Sequence, residues 1–341
     1  MKILLVDLLY IGDILFITPA IRVLQAAYPE AQIDVLTNRI SLPVLQHNPL
    51  LHHVIVFDVV TKQGHAKRLL RQIAALRRER YDLAICLHGD NERASLLTGF
   101  SRAKRRCGYA KFGLHWLFER RSSPVLFNLY RAQDKHIAEE YLALLELIGV
   151  PCHGHRGLEM WADAESEQRA AQLWDAAGLN GNMRVVGMNS GASFPTKLWP
   201  ISHFASLSDL LTAQGFTPVL FGSPDDVPRI EQIRAHSTTP ALSLAGRTTL
   251  LQLLALLRRC ALVVSGDSGP MHIAASQHVP VVALFGPTDD RIFFPFGTQH
   301  TVVRSDLSCL RCNKRQCDDH RCMAAISPEQ VLAAALALLN V

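Results

Sequence analysis

A chain of 341 residues has room for about two domains with full hydrophobic cores, at roughly 100–200 residues each, which excludes a small disulfide-stapled scaffold. Apolar residues make up 49% and charged residues 19%, with a mean hydropathy of +0.13, a globular and not a disordered composition. Net charge is only +5, yet Lys62 to Lys135 holds 17 basic and 6 acidic residues, a local +11 that leaves −6 for the rest. So skewed a stretch points to an anionic partner: a membrane surface, a phosphorylated saccharide or a nucleic acid. No run approaches the ~20 apolar residues of a membrane span, and Asp7 and Asp13 interrupt the amino-terminal apolar run too early for a signal peptide. The expected address is the cytoplasm, where the eight cysteines stay reduced or hold metal.

In chain order, Lys2–Val6 reads as a buried strand, Gly12–Tyr28 as an apolar-periodic helix and Ile33–Thr37 as a second strand, a βαβ unit. Short apolar runs at Val54–Phe57 and Leu83–Leu87, separated by the basic helical stretch Gly64–Arg80, continue the alternation of a helix-covered parallel sheet. A helix over His136–Ile148 closes the first half. After Gly149-Val150-Pro151 the pattern loosens, which sets domains at 1–157 and 158–341. The second half then reads helix Ala164–Ala177, strand Val185–Asn189, helix Ser202–Gln214, strand Thr217–Phe221 and helix Val227–His236. Helix Leu250–Arg259, strand Leu262–Ser265, helix Pro270–Gln277, strand Val281–Phe285 and a final helix after Ser327-Pro328-Glu329 complete it. The fold class is α/β, two doubly wound parallel sheets facing each other, so the loops after the strands are where ligands are expected.

Three such loops carry chemistry. Gly266-Asp267-Ser268-Gly269-Pro270-Met271-His272 stands between a strand and a helix that Ser268 is expected to cap; free amides and the helix dipole there make an anion site, or else a capped end holding water. Ser190-Gly191-Ala192-Ser193-Phe194-Pro195-Thr196-Lys197 offers amides, the Ser190 and Ser193 hydroxyls and one ammonium to a diphosphate, without Walker spacing; an exposed loop lysine is the plain alternative. At the first strand-to-helix turn, Gly12-Asp13 sets a carboxylate that is either a helix-stabilising first-turn residue or a general base. The chain has no G-x-G-x-x-G after its first strand, no G-x-x-x-x-G-K-[ST] and no G-x-S-x-G, against a nicotinamide dehydrogenase, a P-loop enzyme or an α/β-hydrolase.

Gly12-Asp13-Ile14-Leu15 with Thr18-Pro19, the Ser190–Pro200 loop ending Lys197-Leu198-Trp199-Pro200, Gly266–His272, and Leu284-Phe285-Gly286-Pro287-Thr288-Asp289 together resemble glycosyltransferase family nine. That family contains the ADP-heptose:lipopolysaccharide heptosyltransferases, and its motifs occur here in order over nearly the whole chain. The resemblance implies a GT-B architecture, two Rossmann-like domains about a central cleft, with acceptor bound by the first and nucleotide-sugar donor by the second. It implies inverting transfer of heptose from ADP-heptose to the lipopolysaccharide inner core, with no metal or other cofactor needed for catalysis. Asp13 then looks like the general base and Lys197 like the donor-phosphate ligand, with Ser268 and Gly269 as phosphate contacts and His272 lining the same site. Gly12, Ser190, Ser193 and Asp267 join the donor set, and Asp225 or Asp226 falls near the family's ribose-binding acid. The positive first domain fits an anionic acceptor, with Arg93, Arg102, Lys104 and Arg105 as candidate contacts, and a peripheral place on the anionic inner membrane. One departure is Asp7, where relatives carry basic or neutral polar residues; it is expected to put Asp13 in a more negative field.

Cys309, Cys312, Cys317, His320 and Cys322 place four thiols and an imidazole within 14 positions, a spacing that suits structural zinc; reduced thiols or a disulfide rank above it. Cys86, Cys107, Cys152 and Cys260 read as packing residues, and His136 as structural before cleft-facing. Three rival functions stand beside heptosyl transfer: transfer from another nucleotide sugar, a catalytically silent nucleotide or saccharide binder, and a nucleic-acid binder. The last ranks lowest because no recognised reading motif accompanies the charge.

Overall fold

Strand β1 (Lys2–Val6) buries Ile3, Leu4, Leu5 and Val6 completely, on both faces, as a central strand of a helix-covered parallel sheet must. The computed structural model describes residues 1–57, 65–88, 91–109, 114, 117, 135–152, 157–181 and 183–340; much of the basic stretch, with Gly89 and Asp90, lies outside them. The chain divides into two units, Met1–Arg156 and Gly157–Val341.

In the first unit, β2 (Gln32–Thr37), β3 (His53–Val56), β4 (Leu83–Cys86) and β5 (Arg105–Gly108) join β1 in the all-parallel order β3-β2-β1-β4-β5. The second unit repeats that order. There β6 (Val185–Asn189), β7 (Thr217–Phe221), β8 (Leu242–Ser243), β9 (Leu262–Gly266), β10 (Val281–Phe285) and β11 (His300–Arg304) run β11-β10-β9-β6-β7-β8, again all parallel. Each sheet reverses its winding beside its first strand, between β1 and β4 and between β6 and β9. Chains leave those neighbouring strands in opposite directions, and the gap so opened at the carboxyl ends is where doubly wound sheets take ligands.

Three strands went unread in the sequence for one reason. β5, β8 and β11 are edge strands of their sheets, half-covered or very short, so they show no unbroken apolar run. The expected single helix over 12–28 is two, α1 (Ile11–Phe16) and α2 (Thr18–Ala27). Pro19 has no N–H for the carbonyl of Leu15, and the Thr18 hydroxyl donates to that carbonyl instead at 2.7 Å. The other helices of the first unit are α3 (Leu42–Leu45), α4 (His65–Glu79), α5 (Glu92–Phe100) and α6 (Ile137–Leu147). His136 caps α6, its Nδ1 accepting the Ala138 N–H at 3.1 Å while its ring meets Phe16 edge-on, so this buried imidazole is structural.

The second unit carries α7 (Ala164–Ala176), α8 (Ile201–Ala213), α9 (Val227–His236), α10 (Leu250–Leu257), α11 (Gly269–Ser276), α12 (Asp290–Phe293), α13 (Arg321–Ala324) and α14 (Pro328–Leu339). Phe204, Leu207 and Leu211 of α8 and Val331 and Ala335 of α14 cover the sheet around Val186, Met188, Val264 and Val282. Each such fully buried aliphatic or aromatic side chain contributes about 1.5–3 kcal/mol, which fixes the strand ends that present the site loops.

Candidate active site

In the second unit, β6 delivers Asn189 and β9 delivers Gly266 to the switch point side by side. The Asn189 amide nitrogen lies 3.1 Å from the Gly191 carbonyl, 3.3 Å from Ser265 Oγ and 3.2 Å from Ser268 Oγ, joining the two loops. Ser268 does not cap α11 as expected. Its extended backbone begins the helix, but its hydroxyl turns back to Asn189 and to the Gly266 carbonyl, so the Ser268 side chain leaves the amino-terminal turn at Gly269 uncapped. Amides at that turn and the positive end of the helix dipole suit an anion.

Lys197 enters from a 3₁₀ turn, Pro195–Lys197. Its Nζ lies 2.6 Å from Asp267 Oδ2 and 3.0 Å from the Asp267 carbonyl, and stands over the Phe194 ring at 4.7 Å. His272 Nε2 is 3.7 Å from the other Asp267 oxygen. Burial, the largest influence on Asp267, would raise its pKa; His272 and the Lys197 ammonium outweigh burial and hold the carboxyl down at about 2. Asp267 thus pairs with Lys197 within the site, its ionised carboxylate and backbone carbonyl both holding the ammonium.

Asp226 closes its own turn after β7. One of its oxygens accepts the Ser223 N–H at 2.8 Å and the Ser223 hydroxyl at 2.7 Å. A Cβ on Gly191 would lie 2.6 Å from that carboxylate and one on Gly222 2.8 Å from the Asp226 Cβ, so both glycines are there to admit it. Asp225 and Ser193 are exposed, and the buried Ser190 hydroxyl has no hydrogen-bond partner among the described residues. Arg229, unread in the sequence, donates to the carbonyls of Ser190 and Trp199 and pins the loop's two ends.

The cysteine cluster supports this site without forming a preset metal cage. Among the described residues, no three of Cys309, Cys312, Cys317, His320 and Cys322 bring ligand atoms to one point, and no disulfide forms. His320 Nε2 donates to the Thr196 carbonyl at 2.6 Å, and the Thr196 hydroxyl donates to the Lys314 carbonyl at 2.7 Å. The loop thus clasps the turn that carries Lys197.

In the first unit, Asp7 follows β1, and Gly12 and Asp13 stand in the first turn of α1. Asp13 Oδ2 accepts the Tyr10 N–H at 3.3 Å, the first-turn contact expected of it, and the residue stays half-exposed. Asp7 is fully buried; one oxygen accepts the Leu9 N–H at 3.0 Å and the other has no hydrogen-bond partner among the described residues. Burial first, then the Asp13 charge, push the Asp7 carboxyl up to about 8, so the proximity of these two acids raises Asp7.

The expected acceptor residues do not gather. Arg93 opens α5, after the carboxyl end of β4. Arg102, Lys104 and Arg105 stand at the amino end of β5, and Lys104 pairs with Asp82 at 2.7 Å. Because parallel strands carry all their carboxyl ends to one side, these three are on the wrong end of the sheet to share a ligand with Asp13.

Two Rossmann-type sheets with loop-built sites at both switch points, one holding a lysine beside an uncapped helix start, define an α/β protein of the GT-B type. Residues 69–322 match the family described as glycosyltransferase family 9 (heptosyltransferase). Lipooligosaccharide heptosyltransferase 2 of Haemophilus ducreyi is 32% identical over 97% of each chain. The crystal structure of a family 9 glycosyl transferase from Veillonella parvula aligns with TM-score 0.86 at 27% identity, over 99% of this chain and 97% of that one. The E. coli ADP-heptose LPS heptosyltransferase II structure aligns with TM-score 0.78 at 26% identity, over 100% and 99%. The chain belongs to glycosyltransferase family 9 and is an enzyme of that heptosyltransferase family.

Proposed function

We propose that this glycosyltransferase transfers heptose, with inversion, from ADP-heptose to a sugar of the lipopolysaccharide inner core; relatives named as a lipooligosaccharide heptosyltransferase and an ADP-heptose LPS heptosyltransferase support the donor and the acceptor class. The second unit takes the donor and the first the acceptor. The acceptor hydroxyl attacks the anomeric carbon, Asp13 receives its proton, and the bond from that carbon to the diphosphate oxygen breaks, releasing ADP. Negative charge grows on the diphosphate as it leaves, and Lys197 with the amides opening α11 stabilises it, the role that elsewhere falls to a metal ion. A carboxylate beside a helix amino terminus is a weak base, which suffices at Asp13 because the attacking hydroxyl becomes acidic as its bond forms.

The observation that carries this reading is Lys197 held at 12% exposure between Asp267 and Phe194, at the uncapped start of α11 and on the switch point of its sheet. On the acceptor side, α4 offers exposed Lys67, Arg71, Arg77 and Arg78 beside an apolar groove of Leu69, Ile73, Leu96 and Phe100, suited to an anionic, lipid-bearing acceptor at the cytoplasmic face of the inner membrane. Among the described residues, no helix is long and apolar enough to cross a membrane.

Thermal stabilisation by equal concentrations of ADP, UDP, GDP and CMP tests the donor. A shift with ADP alone is expected, because a ligand at ~100 times its Kd adds about 2.7 kcal/mol. The control is Lys197→Met combined with Asp267→Asn, which removes the ion pair without orphaning a charge and abolishes the shift. A larger shift with another nucleotide replaces heptose with a different donor; binding without turnover that is indifferent to Asp13→Asn leaves a silent binder.

A further inference from the structure

Three metal-ligating side chains meet near the amino-terminal end of the first sheet, away from α1 and Asp13. Asp34 in β2 pairs in register with His53, the first residue of β3, and His52 precedes it. His52 Nδ1 lies 3.1 Å and His53 Nδ1 3.5 Å from Asp34 Oδ1, and one ligand atom from each of the three falls within 4.8 Å of the others. The two rings sit 3.8 Å apart at 68°. The Asp34 side chain is only 5% exposed, and its second oxygen accepts the hydroxyl of the buried Tyr81 at 2.7 Å.

A tetrahedral ion about 2.1 Å from each donor separates its donors by roughly 3.4 Å, so both nitrogen–oxygen distances already match an edge of that tetrahedron. Two imidazoles and one carboxylate suit a borderline first-row divalent ion; Ca²⁺ and Mg²⁺ call for oxygen alone. Tyr81 stands as an outer-shell partner, fixing the carboxylate through the oxygen the ion does not need. Three protein ligands leave a fourth position for water or an added donor.

We propose that Asp34, His52 and His53 bind a divalent transition-metal ion of the Zn²⁺, Co²⁺ or Ni²⁺ kind. The ion fastens β3, a four-residue edge strand, to β2 and takes no part in sugar transfer, since the site stands at the far end of the sheet from Asp13.

Cobalt(II) is the probe, added to the full-length protein under reducing conditions, with bound metal counted by dialysis and read by absorption. The expected result is one Co²⁺ per chain with the comparatively intense visible d–d bands of a four-coordinate nitrogen and oxygen site and no thiolate-to-cobalt charge transfer. Both imidazoles are exposed, so combined His52→Ala and His53→Ala leaves the fold intact, as circular dichroism checks, and weakens binding at least about 100-fold. Tyr81→Phe, which removes only the outer-shell hydroxyl, weakens it about tenfold or more. Cys309→Ser with Cys312→Ser leaves the spectrum unchanged. Absence of bound cobalt overturns the proposal, as does binding that survives the double histidine variant or carries thiolate charge transfer.

Discussion

Folding takes the carboxyl group of Asp7 out of water and sets the Asp13 charge beside it, so its ordinary value of 3.8 rises to about 8. Between those values the folded chain holds a proton that the unfolded chain has released. Stability therefore falls as pH rises through that window, by up to about 1.4 kcal/mol per pH unit, and levels off above pH 8. Urea denaturation from pH 5 to pH 8 shows this slope in the wild type, and Asp7→Asn flattens it; equal slopes in both place the titrating group elsewhere. Asp13→Asn removes the charge that helps raise Asp7, so it narrows the same window while lowering kcat about 100- to 10,000-fold, the usual contribution of a general base. The buried pair in the second unit behaves oppositely. Lys197→Met strands the Asp267 carboxylate without its cation and destabilises by about 3–5 kcal/mol, whereas adding Asp267→Asn recovers most of that loss. Thermal denaturation of both variants checks it.

Elements carry the consequences of single residues outward. Pro19 breaks one expected helix into α1 and α2, and the short α1 keeps Asp13 in a first turn, the end of a helix that favours negative charge. The 309–322 loop, read from its spacing as a candidate zinc cage, braces the Lys197 turn through His320 and Lys314. His320→Ala should weaken ADP binding about fivefold, the equivalent of the ~1 kcal/mol that one hydrogen bond contributes, without moving the pH profile of turnover. Calorimetric titration with ADP reads that change; unaltered affinity detaches the loop from the donor site.

At the scale of the whole molecule the charge is divided, with +11 over Lys62–Lys135 against −6 elsewhere. Where described, that excess is spread: α4 presents its cations around an apolar groove, while Lys104 is spent on Asp82. Co-sedimentation with vesicles containing phosphatidylglycerol should therefore exceed that with phosphatidylcholine alone and fall with added salt. Arg71→Glu combined with Arg78→Glu should lower it more than tenfold, at about 1 kcal/mol per basic residue. Salt-insensitive binding would leave the apolar groove as the sole contact.

The sequence by itself determined the α/β class and the doubled parallel sheet, and it singled out the two loops after β6 and β9 as candidate anion sites. Central parallel strands are buried on both faces and must be apolar throughout, and a loop that cradles phosphate must be small, hydroxylic and glycine-bearing, so both are local properties of the chain. Only the tertiary structure decided that Ser268 leaves α11 uncapped, that Asp267 holds Lys197 across 70 residues, and that Asp226 is locked against Gly191. It also drew Asp34, His52 and His53 together and sent Arg102, Lys104 and Arg105 to the other end of their sheet from Asp13. These outcomes depend on strand order and on partners distant in the chain, and neither spacing nor composition encodes which far residue a side chain meets.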